Sequence, residues 1–423
     1  MDAEKRVLVG VDLADDYTQI CYSVNGGSLN SVSLSNDPAK YKFPTLMCAR
    51  AGQPEWLFGE DAAAAVPDEN TVIIDRLVTL AEVDEGIEIF GRLYPADILI
   101  ERFFRKLTTI LKDRIGVSRI SGMVITVKRC KNMLAKNIMS AAELLGMDPA
   151  NVKVITHLES FMYYVISQNQ DIWINDVGLF DFDPEDVVFY KLTFGRKTRP
   201  VSVVADKTVL TDEINYSMLT TGNMEETLAA FENVASKVLH KQIISALYFT
   251  GAGFESSWAD EVLKRLCTGR RIFRGQNLYV KGAGFAAGML LGADADKFKE
   301  EYSFFGEDVL RSSLCIRVYK DGAYEELPIA SAGDRFKDTN ARIEVLMDRT
   351  NELDLIVHNV LKKDFICAIM TLETLRLRDD RTTRLDVRVR FPERDVCVIT
   401  VRDMGFGEIY ETDHKIWEQV LKI

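Results

Sequence analysis

The chain has 423 residues and a net charge of −12, with 47% hydrophobic and 27% charged residues. That balance excludes a disordered chain, and the length exceeds one ordinary core, so two or three domains are expected. The acidic surplus argues against nucleic-acid binding, which needs clustered cations to displace counterions.

The N-terminal run Met-Asp-Ala-Glu-Lys-Arg leads straight into an apolar strand and lacks a signal-peptide core, which predicts a cytoplasmic protein. The first hairpin reads Val7-Leu-Val-Gly-Val-Asp12-Leu-Ala-Asp15-Asp16, then Tyr17-Thr-Gln-Ile-Cys-Tyr-Ser-Val24. A third strand is predicted near 29–34. A helix is predicted over 96–115, with Pro95 and Asp97 at its start, apolar residues at 99, 103, 107, 110 and 111, and Gly116 as its stop. Strand 123–127, helix 132–145 closed by Gly146, strand 152–156 and helix 159–168 follow.

The order then starts again. A second hairpin reads Val177-Gly-Leu-Phe-Asp181-Phe-Asp183-Pro-Glu185-Asp186, then Val187-Val-Phe-Tyr-Lys-Leu-Thr-Phe194. After it come strand 201–209, helix 224–240, strand 246–250, helix 256–267, strand 271–274 and helix 279–291. Three strands followed by helix, strand, helix, strand and helix occurs twice, an internal duplication of α/β lobes with a ligand cleft at the carboxyl ends of the strands. The longest small-apolar run, 282–293, is far shorter than the roughly 20 residues of a membrane span, so no membrane contact is expected.

Residues 297–305 read as a charged and aromatic connector whose Phe304-Phe305 pair fits a packed core, with an interdomain contact as the alternative. From about 312 the pattern is short strands: 314–319, 341–347, 353–357, 367–375, 385–391 and 396–401. Leu385, Val387, Val389 and Phe391 alternate with Asp386, Arg388 and Arg390. Arg376, Arg378, Arg381, Arg384, Arg388 and Arg390, interleaved with Asp379, Asp380 and Asp386, read as a solvated sheet face, with a polyanion patch as the alternative. A short helix over 414–422 is predicted to end the chain. The cysteines at 21, 48, 130, 267, 315, 367 and 397 form no CxxC and have no histidine at ligand spacing. They read as reduced core thiols rather than a disulfide framework or a zinc site.

These residues together resemble the actin-like ATPases and, within them, the DnaK-type heat-shock chaperones of the seventy-kilodalton class. The two hairpins are similar to the two phosphate loops. Asn70-Thr-Val-Ile-Ile resembles the segment before the catalytic lysine, and the segment from Tyr94 to Ala142 resembles the family's helix–strand–helix. Residues 152–166 and Tyr279-Val-Lys-Gly-Ala-Gly-Phe-Ala-Ala287 resemble the two connecting segments, and Tyr248-Phe-Thr-Gly251-Ala-Gly253 the adenosine motif. Leu385-Asp-Val-Arg-Val-Arg-Phe with 396–407 resembles the end of the β substrate-binding domain. The resemblance implies a duplicated, ribonuclease-H-like two-lobed fold. Lobe I would span 1–175 and a reduced lobe II 176–296. A linker would occupy 297–311, and a β-sandwich domain 312–423.

The resemblance also implies Mg²⁺ oriented by Asp12 and Asp181, with ATP or ADP near Asp12, Asp15, Asp16, Asp181, Asp183, Asp186, Gly251 and Gly253. His157 stands where the family's catalytic glutamate would, and no residue matches the catalytic lysine, since Asp75 runs into Arg76-Leu77. Ala14-Asp15-Asp16 and Asp183-Pro184-Glu185-Asp186 replace the glycine- and threonine-rich loops that cradle phosphate. A like-charge pair 4 Å apart costs about 4 kcal/mol at an effective dielectric near 20. Several such pairs exceed the roughly 8 kcal/mol of a micromolar ligand. The expectation is therefore a catalytically inactive, chaperone-like protein without cofactor that binds a protein or peptide through 312–423. An ATP-binding Mg-dependent chaperone ATPase is the alternative, and a divalent-cation-binding regulator a third class. Gly251 and Gly253 also suit a tight strand-to-helix turn, and a structural role suits His157.

Overall fold

The computed structural model describes residues 5–34, 37, 40–65, 69–196, 199–379 and 381–423. The start of the N-terminal run (residues 1–4) and Asp380 lie outside them. The chain is mixed α/β and divides into two compact units, one of residues 1–191 and 208–299, the other of residues 192–207 and 300–423. The second unit thus takes in 192–207, a stretch the sequence pattern places in the second lobe.

In the first unit, strand Val7–Leu13 pairs parallel with Gly122–Val127, which pairs parallel with Val152–Thr156. Every residue of Val7–Leu13 and Gly122–Val127 is buried, as expected of parallel strands covered on both faces. On its other edge Val7–Leu13 forms the first hairpin with Tyr17–Val24, which continues to Asn30–Val32. The four-strand path is therefore Val152–Thr156, Gly122–Val127, Val7–Leu13, Tyr17–Val24. The second half builds Arg271–Arg274, Ile244–Thr250, Asp176–Phe182 and Val187–Gly195 in the same relative order. Strands that are equivalent in chain order are also equivalent in sheet position.

Helices cover these sheets where the apolar period predicts them. Helix Ala96–Ile115 buries Leu99, Ile100, Phe103, Phe104, Leu107 and Leu111 and ends on Gly116 at φ 64°, a left-handed cap that glycine adopts without a Cβ clash. Helix Leu278–Leu291 crosses the centre of the unit with small residues on its inner side. A Cβ on Gly10 would lie 2.3 Å from the Gly284 backbone nitrogen, and one on Gly282 would lie 2.1 Å from the Ser160 carbonyl. Its Tyr279 and Val280 carbonyls accept hydrogen bonds from Ser160 Oγ and Cys21 Sγ at 2.5 and 2.9 Å. Helix Leu77–Val83, which periodicity did not predict, follows directly where the catalytic lysine would have been sought.

The second unit holds two four-stranded antiparallel sheets. One runs Ala323–Ala330, Ser312–Lys320, Glu352–Asn359, Ile366–Thr371; the other runs Asn340–Met347, Thr383–Glu393, Val396–Asp403, Ile416–Lys422. Leu314, Ile316, Leu355, Val387, Ile399 and Val401 from both sheets share one core. The expected connector is a helix, Ala295–Glu301, and a strand, Tyr302–Phe305, whose residues pair parallel with Val201–Val204.

Three expectations are corrected here. The predicted terminal helix over 414–422 is the edge strand Ile416–Lys422, paired with Val396–Arg402 along its whole length. Trp417 and Leu421 reach the core, and their spacing of four fits a helix and a strand alike; pairing decided between them. The arginine run is not uniformly solvated. Arg378 and Asp386 are buried, and Arg378 grips Asp403 through two hydrogen bonds of 2.7 Å. Against the upward push of burial, Arg378 and the backbone N–H groups of Asp413 and Gly405 hold Asp403 down at about 2. Finally, the cysteines are thiols and form no disulfide, but Cys267 and Cys367 are exposed rather than core residues.

Candidate functional site

Both hairpins deliver an aspartate to the carboxyl end of a buried strand in the first unit. Each turn closes in the same way. Ala14 N–H donates to the Tyr17 carbonyl at 3.1 Å, and Asp183 N–H to the Asp186 carbonyl at 3.0 Å. Asp12 and Asp181 are each 2% exposed, so each carboxylate must find partners inside the protein.

Asp12 meets His157. Thr156 ends its strand and caps helix His157–Ile166 through a capping box with Glu159, which makes His157 the first helical residue. His157 Nε2 lies 2.8 Å from Asp12 Oδ1. Burial opposes a charged imidazole, yet the Asp12 carboxylate, helped by Asp181 and Asp183, raises His157 above its ordinary value. Its ring stacks on Tyr279, centroids 3.9 Å apart and planes 13° from parallel. The Tyr279 hydroxyl donates to Asp181 Oδ2 at 2.6 Å. A buried chain of Asp12, His157, Tyr279 and Asp181 therefore joins the two hairpins.

Among the described residues, no cation lies at hydrogen-bond distance from Asp181. Burial and the charge of Asp183 push its carboxyl up to about 7, against the downward pull of Tyr279, His157 and Lys128. His157 Nδ1 and Asp181 Oδ1 are buried without a hydrogen-bond partner among the described residues. The four members of this chain are buried, so their ionisable groups are closed off from solvent.

The remaining acidic residues are compensated separately. Asp15 turns away from the second hairpin and caps helix Leu77–Val83: Val78 N–H donates to it at 2.6 Å and the Thr79 hydroxyl at 2.6 Å. Asp16 is exposed and accepts the Tyr17 N–H. In the second turn, Lys128 Nζ sits 2.7 Å from Asp186, 3.4 Å from Glu185 and 3.5 Å from Asp183, and Arg129 lies 3.1 Å from Asp186. Burial alone would lower Lys128, but Asp183 and Asp186 raise it, and Asp186 is lowered in return despite its own burial. Asp15 is thus answered by a helix N-terminus and Asp186 by a lysine and an arginine, while partial burial and the charge of Asp183 raise Asp16 against its backbone hydrogen bonds and Lys42.

Gly251 and Gly253 pack behind Asp181. Gly251 has φ 92°, and a Cβ there would lie 2.5 Å from the Phe182 carbonyl and 2.8 Å from Asp181 Oδ1; one on Gly253 would strike the Phe182 ring. Ala252 N–H, between them, donates to Asp183 at 3.2 Å. The structure thus brings Asp12, His157, Asp181, Asp183, Gly251 and Gly253 together and turns Asp15 outward. Sequence reasoning missed Lys128, Arg129 and the role of Tyr279. The signal for the first two was a basic pair directly after strand Gly122–Val127, opposite an acid-rich turn.

Residues 28–307 match the family of unknown function DUF5716, C-terminal part. The chain belongs to that family. The matched segment carries Lys128, His157, the second hairpin and Tyr279, while the first hairpin precedes it. Residues 309–423 match a domain of unknown function, DUF8552. No curated protein matches the chain.

Proposed function

We propose that this DUF5716 member is a chaperone-like pseudo-ATPase, an actin-like two-lobed scaffold that no longer hydrolyses ATP and engages a protein or peptide through its strand-rich C-terminal region. The observation that carries the reading is the engagement of Asp12 by His157 and of Asp181 by Tyr279, both at 2% exposure. Each of the two carboxylates that resemble magnesium-orienting residues has one oxygen engaged by a side chain of the protein, so a hydrated ion has to compete with His157 and Tyr279. The donor set suits a triphosphate poorly as well. Lys128 is the cation nearest the second turn, and three carboxylates already hold it. Pro184 removes a backbone donor that a phosphate cradle would use. The matching strand order of the two halves supports the duplicated actin-like scaffold.

Calorimetric titration of the full chain with Mg-ATP, Mg-ADP and Ca²⁺ tests this. No binding at micromolar ligand is expected. Micromolar Mg-ATP affinity with phosphate release would overturn the proposal in favour of an active ATPase, and saturable Ca²⁺ binding lost in Asp181→Asn would overturn it in favour of a cation-responsive protein.

A further inference from the structure

In the second unit, Cys315, Glu326 and His358 stand far apart in sequence but on three adjacent strands of one sheet. Cys315 lies on the central strand Ser312–Lys320, opposite Pro328 on one neighbour and Ile356 on the other. Glu326 is opposite Arg317, and His358 opposite Ser313, so the two flank Cys315 diagonally from either side. Leu314 and Ile316 enter the core, which turns Cys315 to the outer face of the sheet. There the Glu326 carboxylate and the His358 ring meet above it, with His358 Nε2 2.6 Å from Glu326 Oε2. Cys315 is consequently 7% exposed although it faces outward. One ligand atom from each of the three residues lies within 4.8 Å of the others.

We propose that Cys315, Glu326 and His358 form a binding site for a divalent transition-metal ion of the zinc class, with water completing a tetrahedral set. Metal–ligand bonds of about 2.0–2.3 Å put neighbouring donors of a tetrahedral ion roughly 3.3–3.8 Å apart. Side-chain rotation suffices to reach that spacing: the histidine–glutamate contact opens and the sulfur is drawn closer. Sulfur, imidazole and carboxylate together select zinc-like ions over Mg²⁺ and Ca²⁺, which prefer all-oxygen shells. Binding replaces the Cys315 thiol proton, which passes to solvent. Thiolate and carboxylate then balance the two charges of the ion. The bound ion ties the edge hairpin Ser312–Lys320/Ala323–Ala330 to strand Glu352–Asn359.

Equilibrium dialysis of the full chain against Zn²⁺, with Co²⁺ as the spectroscopic probe, tests the site. The expected result is one ion per chain, a thiolate-to-cobalt charge-transfer band, and affinity weakened at least about tenfold in Cys315→Ser and in His358→Ala. Cys367→Ser, an exposed cysteine on the neighbouring strand Ile366–Thr371, should bind like the parent. His358 is exposed, so His358→Ala should keep the parent's circular dichroism and separate lost binding from lost folding. No stoichiometric uptake at micromolar Zn²⁺, a cobalt spectrum without the thiolate band, or binding unchanged in both variants would overturn the proposal. Because the readout is metal uptake by the second unit, it is independent of nucleotide binding by the first.

Discussion

Each unit buries a pair of aspartates, and the pairs are stabilised by different chemistry. In the second unit, Asp403 is clamped by Arg378 and Asp386 by Arg342 and Arg388 at 2.5 and 2.9 Å. Those guanidinium groups stay charged at any relevant pH, so both carboxyls are held below their ordinary value. In the first unit Asp12 faces a histidine and Asp181 a tyrosine hydroxyl. Neither partner supplies a permanent charge, and Asp181 rises to about 7 instead. Arginine-held carboxylates are fixed anchors. Asp181, held by a tyrosine hydroxyl alone, is not fixed in that way.

The contrast can be broken most severely at Arg378. Arg378→Met leaves Asp403 buried without its counter-ion and should cost about 3–5 kcal/mol, read as a lowered urea midpoint. Trp417 reports the second unit, and Trp56, Trp173 and Trp258 report the first. The loss should therefore register at Trp417. In the first unit, His157→Leu removes the partner of Asp12 and should cost about 2–3 kcal/mol. An equal loss from both substitutions would erase the distinction drawn between the units.

The two units should also respond to pH with opposite sign. Asp403 binds its proton less readily folded than unfolded. Its contribution is present above the ordinary value of 3.8 and is lost as pH falls towards about 2. Asp181 binds its proton more readily when folded. Its contribution is complete below 3.8 and is lost as pH rises through about 7. His157, also raised, adds to the same downward slope. Asp181→Asn should flatten the decline in first-unit stability between those two values, measured as urea midpoints across that range. A slope unchanged by the substitution would assign the decline to other groups.

The smallest effect is expected at the second turn. Lys128→Ala should cost about 1 kcal/mol, because its ion pairs are partly solvated. It should also raise the affinity of the turn for Ca²⁺ by removing the internal counter-ion. Unchanged calcium binding would mean that Lys128 does not control access to those carboxylates.

Strand and helix periods, the stop at Gly116, the paired hairpins and the repeated order of elements were all legible in the sequence, because each is written in neighbouring residues. The same holds for the aspartates at the strand ends, since a carboxylate closing an apolar strand stands out against its surroundings. Partners were not legible. His157 and Asp12 are separated by 145 positions, Tyr279 and Asp181 by 98, and Lys128 and Asp183 by 55. The fate of Asp15 depended on helix Leu77–Val83, whose weak periodicity gave no warning of an N-terminus needing a cap. At the end of the chain, residues 417 and 421 suited two periods, and hydrogen bonding to Val396–Arg402 selected the strand. Cys315, Glu326 and His358 converge only because three antiparallel strands are aligned in one register. Sequence alone determined where charge and apolar surface occur along the chain. Only the tertiary structure decided which charges are paired, since pairing energy depends on distance and burial, which strand register and helix packing set.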